Sequence, residues 1–113
     1  MNEERRALIK YRLSQARDCL NEADVLIRGG MNPRSITNRL YYAMFYSVLA
    51  LLQERQLGTS KHSGAISLFD REFVNTGVLG TELSKALHRA FELRLKGDYT
   101  TEPVVTMEHI DEM

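Results

Sequence analysis

The sequence predicts an all-α protein, an antiparallel up-down bundle of four to five helices. Three observations carry that prediction. No segment alternates apolar and polar residues with period two, and no Asn-Gly or Asp-Gly pair offers a hairpin turn. Apolar residues instead recur at three- and four-residue spacing over long segments. Those segments are separated by glycines and by an Asn-Pro pair, which end one helix and start the next.

The first helix is expected over about Glu3 to Arg28. Leu8, Tyr11, Leu13, Ala16, Leu20, Ala23 and Ile27 give it one apolar stripe, and Gly29-Gly30 ends it. Asn32 then reads as an N-cap with Pro33 at the first helical position. The second helix, about Pro33 to Arg55, is apolar on nearly every side, from Leu40 through Leu52. A helix apolar all round must be buried all round, so it belongs at the bundle centre or at a subunit interface. Gly58 closes it, and Thr59 or Ser60 caps a third helix from about Lys61 to Asn75, with Ile66, Leu68, Phe69 and Phe73 inward. After Gly77 and Gly80, a fourth runs from about Thr81 to Lys96, with Leu83, Leu87, Ala90, Phe91 and Leu95 inward, and Gly97 breaks it. Pro103 and Thr106 open a fragment of a fifth from Met107, which implies a longer natural chain or a disordered tail.

The 113 residues fit one domain with a proper core. Fifteen basic and fifteen acidic side chains balance, but unevenly: residues 1–97 hold all fifteen bases and ten acids, a net charge of +5. Such a body suits occasional phosphate contact and is far from a DNA-coating protein. A single cysteine, Cys19, excludes an internal disulfide. With no signal peptide and no apolar run near 20 residues, a reducing cytoplasm is the expected location.

No metal signature is present, because His62, His88 and His109 are far apart in sequence. There is no phosphate-binding glycine loop and no nucleophile elbow. The stretch TSKHSG puts Lys61 and His62 at a helix start, which attracts anions or is simply capped. Tyr41, Tyr42 and Tyr46 could stack bases, or form a core or dimer seam with hydroxyls at the rim. Arg39, in an apolar setting, is either at a mouth or ion-paired with an acid such as Asp18 or Glu22. In FELRLKGDY, Phe91 to Tyr99, Arg94 is a natural phosphate ligand through its planar donors, or a cation favoured by a helix C-terminus.

Three stretches in order, NRLYYAMFYSVLALL, SKHSGAISLFDREFVNTG and LHRAFELRLKGDY, resemble the HEPN family, especially its small stand-alone prokaryotic members. The likeness covers about residues 5 to 110, so residues 1–113 would form one HEPN-like domain. It implies a bundle of four or five helices, usually a homodimer, with Tyr42, Phe45, Tyr46 and Leu49 as interface. It also implies one of two activities. Many members are metal-independent ribonucleases and act as toxins. Others are partners of a minimal nucleotidyltransferase in toxin–antitoxin-like pairs.

The nuclease motif is an arginine, four to six residues, then a histidine. Arg94 matches; five positions on stands Tyr99. A phenol near pKa 10 does not move protons at neutral pH as an imidazole does. Losing a general acid or base costs about 10²–10⁴ in rate. The first reading is therefore a nucleotide- or RNA-phosphate-binding module without a cofactor, with Arg94 as phosphate ligand and Asp98 holding its guanidinium. Tyr99 would offer a hydroxyl, and Lys61, His62 and Arg39 would line the site. The alternative is a ribonuclease toxin in which Arg94, Tyr99 and His62 are catalytic. A ligand-free dimeric scaffold is the third.

Overall fold

The computed structural model describes residues 2–59 and 61–99, with side chains up to Lys96. The expected fifth helix, and with it His109, lies outside the described residues. Within them the chain forms α1 (Glu3–Arg28), α2 (Pro33–Glu54), α3 (His62–Phe69), a π-helical segment Asp70–Val74, and α4 (Thr81–Tyr99). The all-α expectation holds: the described residues contain helices and no strand.

Local chemistry sets the boundaries. Asn2 caps α1 by accepting from the Arg5 amide at 2.7 Å, and Glu3 and Glu4 sit in the first turn, where the helix dipole favours them. Gly30 ends that helix in the left-handed region, at φ 63°. Asn32 accepts from the Arg34 amide at 2.7 Å, with Pro33 beginning α2 as expected.

Three boundaries differ from expectation. Gln56, not Gly58, takes the left-handed position after α2, at φ 59°. Lys61 caps α3 without a side-chain bond, and Thr59 supports it only through a 3.4 Å contact from the Lys61 amide to its hydroxyl. Gly97 does not break α4, which runs on to Tyr99. A helical glycine costs about 1 kcal/mol, which one further hydrogen-bonded turn can offset.

The second helix is the centre, one of the two places its all-round apolarity allowed: α1 packs against it on one side, α3 and α4 on the other. Tyr41, Phe45, Val48 and Leu52 bury against Ile66, Phe69, Phe73, Val74, Leu87 and Ala90. Ile36, Ala43 and Ala50, seven residues apart, are buried on a different face of α2. On α1 the buried residues are Ala16, Cys19 and Ala23.

The α1 stripe is therefore largely corrected. Leu8, Tyr11, Leu13, Leu20 and Ile27 are exposed, because small residues let α1 lie close against α2 and push the larger ones to its flanks. In α4, Leu83 is likewise exposed, whereas Leu93, not named from the sequence, is buried. Among the described residues, no helix is long and apolar enough to cross a membrane.

Candidate functional site

With α1 on one side and α3 and α4 on the other, two flanks of α2 stay partly open. One is an apolar groove of about 320 Å³, lined by residues including Leu20, Leu40, Met44, Leu51 and Leu83. It offers shape but no reactive group. The other carries Arg39, Tyr42, Tyr46 and Leu49, all half-buried. Polar chemistry gathers at this second flank.

Its centre is Tyr41, which is 0% exposed. The Tyr41 hydroxyl lies 2.8 Å from His62 Nδ1. The His62 ring stacks on Phe45 at 4.0 Å between centroids and 14° between planes. From α4, the Arg94 guanidinium carbon stands 5.4 Å from the centroids of both Tyr41 and Tyr42, within cation–π range. Phe91, one turn earlier on α4, closes the cluster 5.7 Å from Tyr41. Two residues singled out separately from the sequence, Arg94 and His62, are thus brought to one pair of tyrosines.

The electrostatics follow from this packing. Burial pushes the Tyr41 phenol well above its ordinary range, with Arg94 opposing the shift only in part, so the hydroxyl keeps its proton. Burial, and secondarily the Arg94 charge, push His62 below its ordinary value, so the imidazole is neutral near pH 7. A buried phenolic proton needs an acceptor, and Nδ1 is at hydrogen-bond distance. Tyr41 therefore donates to Nδ1, and the imidazole proton belongs on Nε2. The site brings together a guanidinium and an imidazole N–H, donor types that suit an anionic oxygen.

The remaining candidates fall as follows. Arg39 pairs with Glu22 at 3.5 Å rather than with Asp18, bonds to Asn38, donates to the Cys19 sulfur at 3.6 Å, and stands 5.5 Å from the Tyr42 ring. The ion-pair reading of Arg39 thus holds, through Glu22. Lys61 is exposed beside His62. The side chains of Asp98 and Tyr99 lie outside what is described. Of the expected interface residues, Tyr42, Tyr46 and Leu49 are half-buried on the open flank, while Phe45 is buried against His62.

Tyr41 itself is the residue that sequence reading placed too generally, among stacking or core aromatics. Its signal was the Tyr41-Tyr42 pair, which puts one ring inward and the other on the flank. Sequence reading also missed a clamp elsewhere: Asp70 in the π-helical segment accepts from Ser84 Oγ at 2.7 Å and pairs with His88 Nε2 at 2.6 Å. Among the described residues, no cluster of His, Cys, Asp or Glu is placed to hold a metal ion.

The HEPN domain model matches residues 9–113. A protein of Thermotoga maritima named "UPF0332 protein" is 48% identical over 101 residues, covering 88% of this chain and 74% of the relative. A protein of Methanocaldococcus jannaschii named "Putative toxin MJ0605" is 33% identical over 102 residues, covering 90% of this chain and 75% of the relative. A second from that organism, "Putative toxin MJ0142", is 40% identical over 62 residues, 55% of this chain and 42% of the relative. No solved structure matches the chain.

Proposed function

This chain belongs to the HEPN domain family, and from that premise we propose that it is a toxin-like module that binds a nucleotide or RNA phosphate at Arg94. One observation carries the reading: Arg94 and His62 converge on Tyr41 and Tyr42, which brings a guanidinium and an imidazole to one flank of α2. A phosphate oxygen is the natural ligand for such donors, and a guanidinium can hold two at once. Lys61 adds positive potential at the start of α3. In this reading the chain works as a homodimer, and its partner is a minimal nucleotidyltransferase. The naming of two relatives as toxins is in keeping with such a pair.

The test is calorimetric titration of the purified protein with mononucleotides and a short RNA, beside Arg94→Ala. Binding that weakens at least tenfold in the variant supports the reading. Equal binding by both proteins removes it.

A second reading, a metal-independent ribonuclease, is favoured by the same proximity, since His62 is an imidazole within reach of the charge of Arg94. The difficulty lies in the tautomer. With Nδ1 engaged by Tyr41, Nε2 carries a proton and has no free lone pair to accept one from a 2′-hydroxyl. Cleavage of RNA in excess chelator that disappears in both Arg94→Ala and His62→Ala would establish the ribonuclease; intact RNA leaves the binding module.

A further inference from the structure

His62 and Arg94 reach one pair of tyrosines from different helices, and a carboxylate ties those helices together. Asp70 Oδ1 accepts from Ser84 Oγ at 2.7 Å, and Asp70 Oδ2 pairs with His88 Nε2 at 2.6 Å. Ser84 and His88 stand one turn apart on the same face of α4. Two contacts one turn apart fix both the slide of α4 past Asp70 and its rotation. The apolar packing nearby, of Phe69 and Phe73 with Leu87 and Ala90, holds the helices together. It constrains their register less, because the hydrophobic effect has no direction and hydrogen bonds do.

Asp70 is well placed to transmit that register. His62 opens α3, and the π-helical segment that begins at Asp70 follows its last residue without a break, about 12 Å further on. On α4, His88 precedes Arg94 by about 9 Å of the same helix. The π turn is closed by the Asn75 amide donating to the Asp70 carbonyl at 2.7 Å. Such single turns are rare and concentrate at functional sites. This one starts at the residue that grips α4.

We propose that Asp70 is a positioning residue for the Tyr41 cluster: by gripping one turn of α4 it sets α3 in the register that brings His62 onto Tyr41 beside Arg94. Asp70 touches no ligand in this scheme. It acts through His62, and binding groups have to be held within about 0.5 Å of their working places. Its effect on binding rests on the reading of the Arg94 cluster as the ligand site; its effect on His62 does not. The competing role is a clamp that stabilises the fold and nothing more.

The test compares wild type with Asp70→Ala, His88→Ala, His88→Gln, Arg94→Ala and Asn2→Ala. The last removes the side chain that caps α1 and serves as a destabilised control on another helix. Imidazole NMR follows the titration of His62 and its ring contact with Phe45. Fluorescence anisotropy follows binding of a labelled mononucleotide. If Asp70→Ala does not fold, the two His88 variants carry the test, since that side chain is 53% exposed.

His62 is held below its ordinary value of 6.5 by burial and then by Arg94. In Asp70→Ala it should titrate nearer that ordinary value, with its Phe45 contact weakened. Mononucleotide affinity should fall at least about five-fold. His88→Ala should move both readouts the same way by less. His88→Gln keeps a donor for the carboxylate and should match wild type, as should Asn2→Ala. A His62 that titrates alike in Asp70→Ala and wild type, or shifts equally in Asn2→Ala, overturns the proposal. So does unchanged affinity in Asp70→Ala where Arg94→Ala has weakened it. If Arg94→Ala binds as wild type does, the ligand reading falls alone, and His62 still decides whether Asp70 positions the cluster.

Discussion

Replacing Tyr41 by Phe removes one oxygen from the middle of the molecule and tests most of the reasoning about the site. The ring contacts with Phe45, Phe91 and His62 are kept, so the perturbation is close to the loss of a single hydrogen bond. A neutral hydrogen bond is worth about 1 kcal/mol net. His62 is only half-buried, so water can reach Nδ1 once the hydroxyl is gone, and the cost should stay near that figure. For a domain of this size it corresponds to a fall in Tm of about 4 °C.

The pH dependence is more telling. His62 is held below its ordinary value of 6.5 by burial and then by Arg94. The unfolded chain therefore takes up the proton more readily than the folded one. The stability that neutral His62 contributes is complete above pH 6.5 and is lost as pH falls through and below it. The Tyr41 bond adds to this, because protonation would force a second N–H toward a hydroxyl that is already donating. In Tyr41→Phe that obstacle is gone, and His62 should titrate at a higher pH than in wild type. The stability gap between the two proteins should then be widest above pH 7 and narrow on acidification.

Urea unfolding at a series of pH values measures the gap, and imidazole ¹⁵N shifts report both the titration and the protonated nitrogen. A gap that is constant or widens in acid, or a neutral His62 with its proton on Nδ1, would refute the reasoning.

Three further outcomes follow from packing alone. Thr37 is 1% exposed and its hydroxyl has no hydrogen-bond partner among the described residues, so Thr37→Val should stabilise the fold by about 1 kcal/mol, read as a higher urea midpoint with an unchanged m-value. Asp70→Ala removes the acceptor of both Ser84 and His88 and should cost about 1–2 kcal/mol, whereas His88→Ala should cost less than about 1 kcal/mol because His88 is 53% exposed. A Cβ on Gly64 would lie 2.8 Å from Thr59 Oγ1 and 3.0 Å from its Cγ2, so Gly64→Ala should lower Tm even though alanine is the better helix former. Adding Thr59→Gly should restore it, and a Tm that rises with Gly64→Ala alone would show that the Thr59 loop yields freely.

Sequence made the helices legible where large residues carried the signal. The all-round apolarity of Leu40 to Leu52 left α2 either at the bundle centre or at a subunit interface, and α2 is packed by α1, α3 and α4 while two of its flanks stay partly open. The face of α1 was misread because Leu13, Leu20 and Ile27 outweigh Ala16, Cys19 and Ala23 in any periodic pattern, although the small residues make the seam. The π-helical turn after Phe69 was invisible, since Phe69 and Phe73 at four-residue spacing fit an ordinary helix equally well. Gln56 in the left-handed region escaped notice because a glycine two residues on looked like the natural choice.

At the site, Arg94 and His62 were both named, but their meeting depends on the register of α2 against α3 and α4, which no local pattern encodes. Tyr41 joins them, and its neighbour Tyr42 has the same side chain with a different role. Only the direction in which α2 turns distinguishes the two.

The small-residue seam between α1 and α2 has a kinetic corollary. Ala16, Cys19 and Ala23 are covered where α1 packs on α2, so they become accessible when α1 lifts away from it. Cys19 sits within that seam, 3% exposed and with its thiol pushed up by burial, and it is the chain's single cysteine. Its rate of reaction with a disulfide reagent therefore counts the openings of one helix. Because Arg12 and Glu22 depart with α1, the same clock reads how often the tyrosine flank is laid bare along its whole length.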